Sequence, residues 1–482
     1  MGAFLSLAGR KSGADANKSD MALAPPDEFC KRRSIVAEDC CSQLIPKLPD
    51  ELSAQILARL PRIQYPNAGL VSRKWKAMLT SPELFNLRRE LGTSEEWLYL
   101  LIKCEDETLA WHALDPLLER WQRLPPMPSI DITEEPDKPS HGLLWNLFWP
   151  SAKIAGVVKG WLGRKDAAEN HVPYCGCAVG VVEGCLYVVG GFSKDSTLKN
   201  VRKFDPVLNV WSEEEPMSAG RAYCKIAVVN NKLFAVGGVS RGQGGLTPIQ
   251  SAEAFDPRTG TWSEIPGMPF SRAQVFPTPF YAVADTLKPI ATGITQYRGK
   301  LFVPQSLYSW PFFVDVGGEV YDPETNSWLE MPSGMREGWP AKQAGTKISV
   351  VLENELYAFE PSSSLENGKI KVYDHEEDAW KVVIGKVPVF ESENSESPYL
   401  LAAFHGKLQF ISRNYDHEIQ VIQADVGKSL DSLLPSPSFP VLLNSVDKNM
   451  NPDKEYDTVI WKKIASRQFG SAKLVIWQVL NI

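Results

Sequence analysis

The sequence has few of the residue types that build metal centres and catalytic sites. It contains six histidines, none of which is paired with another at metal-site spacing, and its eight cysteines are scattered without a paired CxxC set. There is no Gly-x-Ser-x-Gly nucleophile motif, and the glycine-rich segment at 242–245 lacks the Lys-Ser/Thr of a phosphate loop. We therefore predict a protein without catalytic residues, metal or cofactor.

Long apolar runs and a strong net charge are also missing. Apolar runs are no longer than a β-strand and no secretory signal is visible, which predicts a cytoplasmic or nuclear protein with reduced thiols. The net charge of −7 argues against nucleic acid as a main partner. Residues 1–43 mix small, charged and proline residues, which predicts a disordered tail before the folded chain.

What the sequence does contain is one phrase that recurs about every 50 residues, as in proteins built from repeated supersecondary units. A large apolar residue precedes Asp, and a Trp follows that apolar residue by seven positions; the copies run Leu114–Trp121, Phe204–Trp211, Phe255–Trp262, Tyr321–Trp328 and Tyr373–Trp380. The Asp is expected to start a turn by bonding its own backbone. The position five residues after the apolar residue is expected to be left-handed, and it holds Glu119, Asn209, Gly260, Asn326 and Asp378. The Trp is predicted to pack against the neighbouring unit.

A second hairpin precedes most copies. Its two-residue turns favour the primed turn types and are Glu183-Gly184, Asn230-Asn231, Arg298-Gly299, Glu353-Asn354 and His405-Gly406. Two hairpins make a four-stranded sheet, and such sheets repeated radially form a β-propeller. With Trp461 as a sixth marker we predict six blades, and we expect Lys473 to Leu480 to complete the first blade and close the ring. A seventh blade within residues 430–482 is the alternative.

These features together resemble the kelch family. Its marks are the glycine pairs Gly190-Gly191 and Gly237-Gly238, the aromatic residue before Asp-Pro, the spaced Trp and the following Pro216-Met217. The resemblance implies a mainly β fold, a six-bladed kelch-type propeller over residues 92–482 with an insertion at about 129–172.

Residues 44–91 have helical periodicity instead, with a proline and acidic residues at Leu48-Pro49-Asp50-Glu51 opening the first helix and Ser81-Pro82-Glu83 opening the last. The order of motifs resembles an F-box, which implies docking onto a Skp-type adaptor and, through it, a cullin. By this resemblance the adaptor contacts map onto Leu48, Pro49, Leu52, Ile56, Leu57, Leu60, Pro61, Leu70, Val71 and Trp75. A small helical cap on the propeller is the alternative.

An F-box followed by kelch repeats looks like the plant F-box/kelch-repeat proteins. That resemblance implies a non-catalytic substrate-recognition subunit of a Skp–cullin–F-box (SCF) ubiquitin ligase, with the F-box on the adaptor and the propeller loops on a target protein. The other hypothesis is a kelch scaffold without ubiquitin transfer, tethered to a membrane in one version.

Two sets of propeller residues are candidates for target binding. Trp310, Phe312 and Phe313 form an aromatic loop in blade four. These rings are either exposed and serve as binding anchors, or they pack over the propeller's own core. Arg221, Arg272 and Arg336 follow Met-containing segments at related offsets. They either read an acidic partner or orient loops through hydrogen bonds.

A membrane contact is the last hypothesis. Gly2, with Ser6 at the right offset, fits an N-myristoylation template, so Gly2 is a candidate lipidation site. Residues 142–165 carry basic and aromatic residues without an acid, and a stripe within them has helical spacing. This segment is either an interfacial helix that would add peripheral membrane association or, as we favour, a helix laid across the propeller or F-box.

Overall fold

The computed structural model describes residues 43–106, 108–115, 117–128, 174–193, 196–242, 245–269, 290–309, 312–339, 349–360, 368–387, 399–414, 416, 418–424, 461–470 and 472–482. Several predictions concern residues outside these ranges. They are the predictions for the N-terminal tail up to residue 42, which includes Gly2, for the insertion at about 129–172, and for Trp310 and Arg272. Among the described residues, no helix is long and apolar enough to cross a membrane.

The N-terminal part is helical. Its elements are α1 (Asp50–Ala58), a short 3-10 helix (Arg62–Gln64), α2 (Tyr65–Ala68), α3 (Arg73–Leu79) and α4 (Pro82–Glu90). Two helices begin at a serine cap, because Ser72 Oγ accepts from Trp75 N at 3.0 Å and Ser81 Oγ accepts from Leu84 N at 3.2 Å. The sequence predicted the second cap. Leu70 and Val71 lie in the turn before α3 and not within a helix.

The rest of the described chain is mainly β-structure, in six sheets here called blades one to six and one separate two-stranded hairpin. From the innermost strand outward, blade one contains β27 (Lys473–Asn481), β1 (Glu96–Lys103), β2 (Leu109–Asp115) and β3 (Arg120–Arg123). Blade two contains β4 (Ala178–Val182), β5 (Cys185–Val189), β6 (Val201–Asp205) and β7 (Val210–Glu214). Blade three contains β8 (Lys225–Val229), β9 (Lys232–Val236), β12 (Ala252–Asp256) and β13 (Thr261–Ile265). A hairpin of β10 (Val239–Gly242) and β11 (Gly245–Pro248) lies between β9 and β12.

Blades four to six follow the same order. Blade four contains β15 (Thr295–Tyr297), β16 (Lys300–Ser309), β17 (Phe312–Asp322) and β18 (Ser327–Glu330), and β14 (Ile290–Ala291) also pairs with β16. Blade five contains β19 (Ser349–Leu352), β20 (Glu355–Glu360), β21 (Gly368–Asp374) and β22 (Ala379–Val387). Blade six contains β23 (Leu400–Phe404), β24 (Lys407–Arg413), β25 (Glu418–Ala424) and β26 (Lys462–Gln468). A short helix α5 (Ser333–Gly338) follows blade four.

The blades close into a ring. The innermost strands contact one another in the cycle β27, β4, β8, β15, β19, β23 and back to β27. As predicted, the C-terminal strand completes blade one, since β27 pairs antiparallel with β1 and places Leu100 opposite Trp477. The C-terminal strand covers the edge of β1 that would otherwise be open. The six-bladed propeller is therefore confirmed, and the seven-bladed alternative is not the observed arrangement.

The predicted turn chemistry is also confirmed. Both residues of every predicted primed turn have positive φ, from Glu183-Gly184 in blade two to His405-Gly406 in blade six. The Asp carboxylates accept from backbone amides two residues on, as from Asp205 Oδ1 to Val207 N at 2.7 Å. The five positions expected to be left-handed have φ between 47° and 68°, as Asp378 and Gly260 show at the two extremes.

Each repeated Trp joins its blade to the preceding one. Four indole N–H groups donate to a backbone oxygen of the segment that leaves the preceding blade, namely Trp211 to Pro125 at 3.0 Å, Trp262 to Glu215 at 2.8 Å, Trp328 to Pro266 at 2.6 Å and Trp380 to Met335 at 2.9 Å. Trp121 packs edge-on against Phe469 of blade six, across the ring closure. The prediction that the Trp contacts a neighbouring unit is confirmed.

The propeller has two distinct ends. In an antiparallel sheet of four strands, the turns joining strands one to two and three to four lie at one end, and the connection from two to three lies at the other. The helical region packs at the first end, where the ring of Phe85 lies so close that a Cβ at Gly184 would be 2.9 Å from it. We call this the F-box end. The opposite end, here the hairpin end, carries β10–β11 and the extended tip of β16–β17.

Candidate functional site

One carboxylate joins the helical region to the propeller. Glu95 Oε1 accepts from Arg62 N at 3.0 Å and from Arg88 Nη2 at 3.0 Å, while its Oε2 accepts from Trp97 Nε1 at 2.9 Å. Its backbone pairs with the chain end, because Glu95 N donates to Ile482 O at 2.7 Å and Ile482 N donates to Glu95 O at 2.9 Å. The two parts of the chain therefore share one hydrogen-bonded junction.

Apolar packing continues this junction. Ile63 and Phe85 of the helical region pack on a buried cluster of blades one and two that includes Trp97 and Leu186. Burial lowers the pKa of Arg62 and raises that of Tyr99, and the attraction between the two groups opposes both shifts. Ordered polar groups at a packed interface fix orientation. The helices thus have one defined direction relative to the propeller.

The predicted adaptor contacts divide by exposure. Leu52 and Ile56 are 48% and 45% exposed, and Leu70 and Val71 are 84% and 63% exposed. Leu52 and Ile56 are four residues apart on α1 and so share one helix face. Pro49 is exposed as well, whereas Leu48, Leu60 and Pro61 are half-buried. Exposed apolar side chains of this kind are candidates for contact with another protein. We call Leu52, Ile56, Leu70 and Val71 the apolar F-box surface.

Two predicted contact residues belong to the packed part of the helical region. Leu57 is fully buried in the small core with Leu79 and Leu84. Trp75 is half-buried against that core, and its Nε1 donates to Leu44 O at 2.7 Å. The mapping of Leu57 onto a direct contact is therefore corrected, because its side chain holds α1 against the other helices.

The prediction that Arg221 binds a target protein is also corrected. Arg221 is 1% exposed, and its Nε donates to Glu253 Oε1 at 2.9 Å. Its two Nη atoms donate to Gly237 O at 3.1 Å, Ser251 O at 2.8 Å and Ser251 Oγ at 2.8 Å. A side chain enclosed in this way offers no surface to a target protein. The second role foreseen from the sequence, orientation of loops through hydrogen bonds, matches this geometry.

The other propeller candidates lie in blade four. Arg336 of α5 is half-buried, forms an ion pair with Glu330 at 3.1 Å, and crosses Gly317, where a Cβ would be 2.9 Å from its Cδ. The backbones of Phe312 and Phe313 pair with Ser309 and Tyr308 at the tip of β16–β17. The aromatic segment therefore belongs to the hairpin end. The sequence missed that β16 and β17 extend far beyond the strands of blade two.

Glu319 is an ionisable residue that the sequence analysis did not single out. It is half-buried on β17 opposite Glu330 in register, and burial together with the charge of Glu330 raises the pKa of Glu319 to about 7. Glu253 has the same place in the repeat of blade three, two residues before the large apolar residue, but there Arg221 neutralises it. Comparison of the two repeats would have found this signal.

We expect Glu319→Gln to stabilise the protein at pH 8. The unfolded carboxyl ionises near its ordinary pKa of 4.5, whereas the folded one keeps its proton to about pH 7. The folded protein therefore loses stability as pH rises through this window, and glutamine removes the loss. The gain should be about 1 kcal/mol at pH 8 and near zero at pH 4.5, because the site is partly solvated. Urea unfolding at several pH values measures it. Glu355→Gln, at an exposed glutamate of β20, is the control; equal gains in both variants would contradict the assignment.

Among the described residues, no group of three or more His, Cys, Asp and Glu side chains is placed to hold a metal ion. At the junction, Glu95 is held by Arg62, Arg88 and Trp97, while Leu52, Ile56, Leu70 and Val71 are the exposed large apolar side chains of the helical region.

Comparison with known proteins agrees with both parts of the fold. Residues 45–87 match the F-box domain family, and residues 173–218 and 220–269 match the Kelch motif. An F-box/kelch-repeat protein of Arabidopsis thaliana is 56% identical over 490 residues, which cover 100% of both chains. A second one from Arabidopsis is 27% identical over 68% of this chain and 67% of its own. The Arabidopsis F-box protein AFR is 28% identical over 65% of this chain and 68% of its own. The chain therefore belongs to the plant F-box/kelch-repeat proteins.

Proposed function

We propose that this protein is the substrate receptor of an SCF ubiquitin ligase. The observation that carries the proposal is the apolar F-box surface, presented by helices that one junction fixes to a closed propeller. In this role residues 44–91 act as the F-box and bind a Skp-type adaptor, which links the chain to a cullin. Residues 92–482 act as the propeller that binds a target protein.

The mechanism requires no bond chemistry by this chain. A receptor that holds a target beside a charged conjugating enzyme raises the effective concentration of the target's lysines. A fixed F-box makes this effect directional, since a mobile one would spread the target over a larger volume. The two distinct ends of the propeller support separate binding sites, with the adaptor at the F-box end and the target protein at the hairpin end.

Within this proposal, the target-binding residues are the aromatic residues Trp310, Phe312 and Phe313, together with Arg336 and Arg272. Phe312 and Phe313 belong to the extended hairpin, which stands out from the blade as a recognition element should. Arg336 lies at the base of the same hairpin, against Gly317. Arg221 is not included, because it is enclosed.

We expect Leu52→Asp with Ile56→Asp to abolish binding of a Skp-type adaptor while the protein stays folded. Both side chains are about half exposed, so aspartate there desolvates only when a partner covers it, at a cost of several kcal/mol. Isothermal titration with purified adaptor measures the loss. Leu329→Asp with Val382→Asp is the matched control, since both residues are 50% exposed on outer strands of the propeller.

Leu57→Asp is the contrasting variant. It should unfold the F-box, which circular dichroism would show, and so it cannot report on a surface. If the intact chain with a folded F-box binds no adaptor, the receptor proposal is wrong and the scaffold hypothesis replaces it. If both double variants lose binding equally, the adaptor does not use the apolar F-box surface.

A further inference from the structure

Exposed apolar side chains are unevenly distributed over this protein. Ten large aliphatic side chains are exposed among the described residues. Four form the apolar F-box surface. Four more lie at the outer edge of blades one and two, namely Leu117, Leu118 and Leu208 in the turns and Val210 at the start of β7. Only Leu329 and Val382 lie elsewhere. Eight of the ten are therefore on the F-box or on the two blades that carry it.

The repeats provide an internal comparison for the turns. The third and fourth residues of the Asp turn are exposed in blades one, three, four and five, and the fourth is exposed in blade two. In blades three, four and five these two positions are polar, namely Arg258-Thr259, Glu324-Thr325 and Glu376-Glu377. In blades one and two they are apolar, namely Leu117-Leu118 and Val207-Leu208. The turn geometry is common to all five blades, so it does not require leucine.

The apolar turns lie at the end of the propeller where the F-box is attached. Turns between the third and fourth strands belong to the F-box end, as shown above. The F-box packs on blades one and two. Arg62 of its 3-10 helix interacts electrostatically with Asp205, the first residue of the blade-two turn, whose charge opposes the lowering of the Arg62 pKa by burial. Leu208 nevertheless stays 50% exposed, so the F-box itself does not cover it.

We propose that the turns of blades one and two, through Leu117, Leu118 and Leu208, are a second contact surface for the protein that binds the apolar F-box surface. The inference rests on the proposed function and commits to the Skp-type adaptor as occupant. The adaptor would contact the propeller as well as the F-box, and the receptor would hold it in one orientation.

Two features favour this occupant. The F-box packs on blades one and two, and these are the two blades whose Asp turns are apolar, whereas the turns of blades three to five are polar. The F-box is also joined to these blades through Glu95 and the C-terminal Ile482, so its surface and the turns keep one relative position. Two apolar patches on one rigid support act together, because binding at the first makes binding at the second intramolecular.

The test transfers the turn residues of blade four to blades one and two. The variant Leu117→Glu, Leu118→Thr and Leu208→Thr takes residues that the same turn already accommodates, so it should fold. We expect its affinity for purified Skp-type adaptor to fall about tenfold, since three leucines lose their burial. The matched control is Glu324→Leu with Thr325→Leu, which creates an apolar turn in blade four and should leave the affinity unchanged.

Hydrogen exchange of the unmodified protein gives a second measurement that needs no variant. Adding the adaptor should slow exchange in residues 117–120 and 207–210 but not in 324–327. Unchanged affinity of the triple variant, with unchanged exchange at the turns, would overturn the inference while adaptor binding itself stands. Absence of any adaptor binding would overturn the proposed function and this inference together. Faster exchange at these turns after removal of residues 1–42 would identify the chain's own tail as the occupant and would also overturn it.

Discussion

Glu253→Gln is expected to destabilise the propeller by about 3–5 kcal/mol, because it leaves the guanidinium of Arg221 buried without its charge partner. Both side chains of this pair are 1% exposed, and the carboxylate also accepts from Ser218 N at 3.0 Å. The pair connects the segment entering blade three to the third strand of that blade. The midpoint of urea unfolding, followed by tryptophan fluorescence, measures the effect.

Blade two offers a matched control at the equivalent place. Arg202 there pairs with Glu213, whose side chain is 57% exposed. Arg202 also keeps the Tyr174 hydroxyl, to which its Nε donates at 3.2 Å. Glu213→Gln should therefore cost about 1 kcal/mol or less, because water replaces the lost partner. If the two glutamine variants cost the same, the Arg221–Glu253 pair does not stabilise the ring as its burial indicates.

Removal of residues 473–482 is expected to prevent stable folding. It deletes the innermost strand of blade one and leaves β1 as an exposed edge, which invites aggregation. It also removes the bond from Gln478 Nε2 to Val179 O at 2.7 Å and the pairing of Ile482 with Glu95, so blade two and the F-box lose support together. Size-exclusion chromatography and thermal unfolding measure the outcome.

Deletion of the first ten residues is the control of equal length and should change neither property. Leu480→Asp is a milder second variant, because Leu480 is fully buried on β27 between the core of blade one and blade two. It should lower the unfolding temperature without removing any strand pairing. A monomeric truncated protein with an unchanged cooperative transition would show that the ring closes without β27.

Much of the propeller could be predicted because its rules are local. The Asp residue that bonds amides two positions on, the left-handed residue before Trp and the primed turns each depend on a few neighbouring residues. Their regular spacing then fixes the number of blades. The last strand was predicted for a related reason, since a strand without a hairpin partner in a ring can pair only with the open edge.

The F-box surface could be predicted only in part. Leu52, Ile56 and Leu57 are equivalent as apolar residues of one short helix, and the sequence assigned all three to the adaptor. Packing separates them, because α1 presses only one side against α4, so Leu57 is enclosed while the other two remain in water. A short apolar helix contains more apolar positions than one buried face requires, and the choice among them needs the neighbouring helices.

The sequence by itself determined the repeat, its turns, the six blades and the two kinds of domain, because these follow from backbone preferences and periodicity over short distances. Only the tertiary structure decided which charged residues are enclosed and which end of the propeller carries the helical region. Arg221 meets Glu253 across 32 residues of chain, and Glu95 meets Ile482 across nearly the whole chain. Such contacts depend on how the blades and helices assemble in space. The same assembly sets whether a charged group is paired or exposed or, as at Glu319, has a pKa raised to about 7.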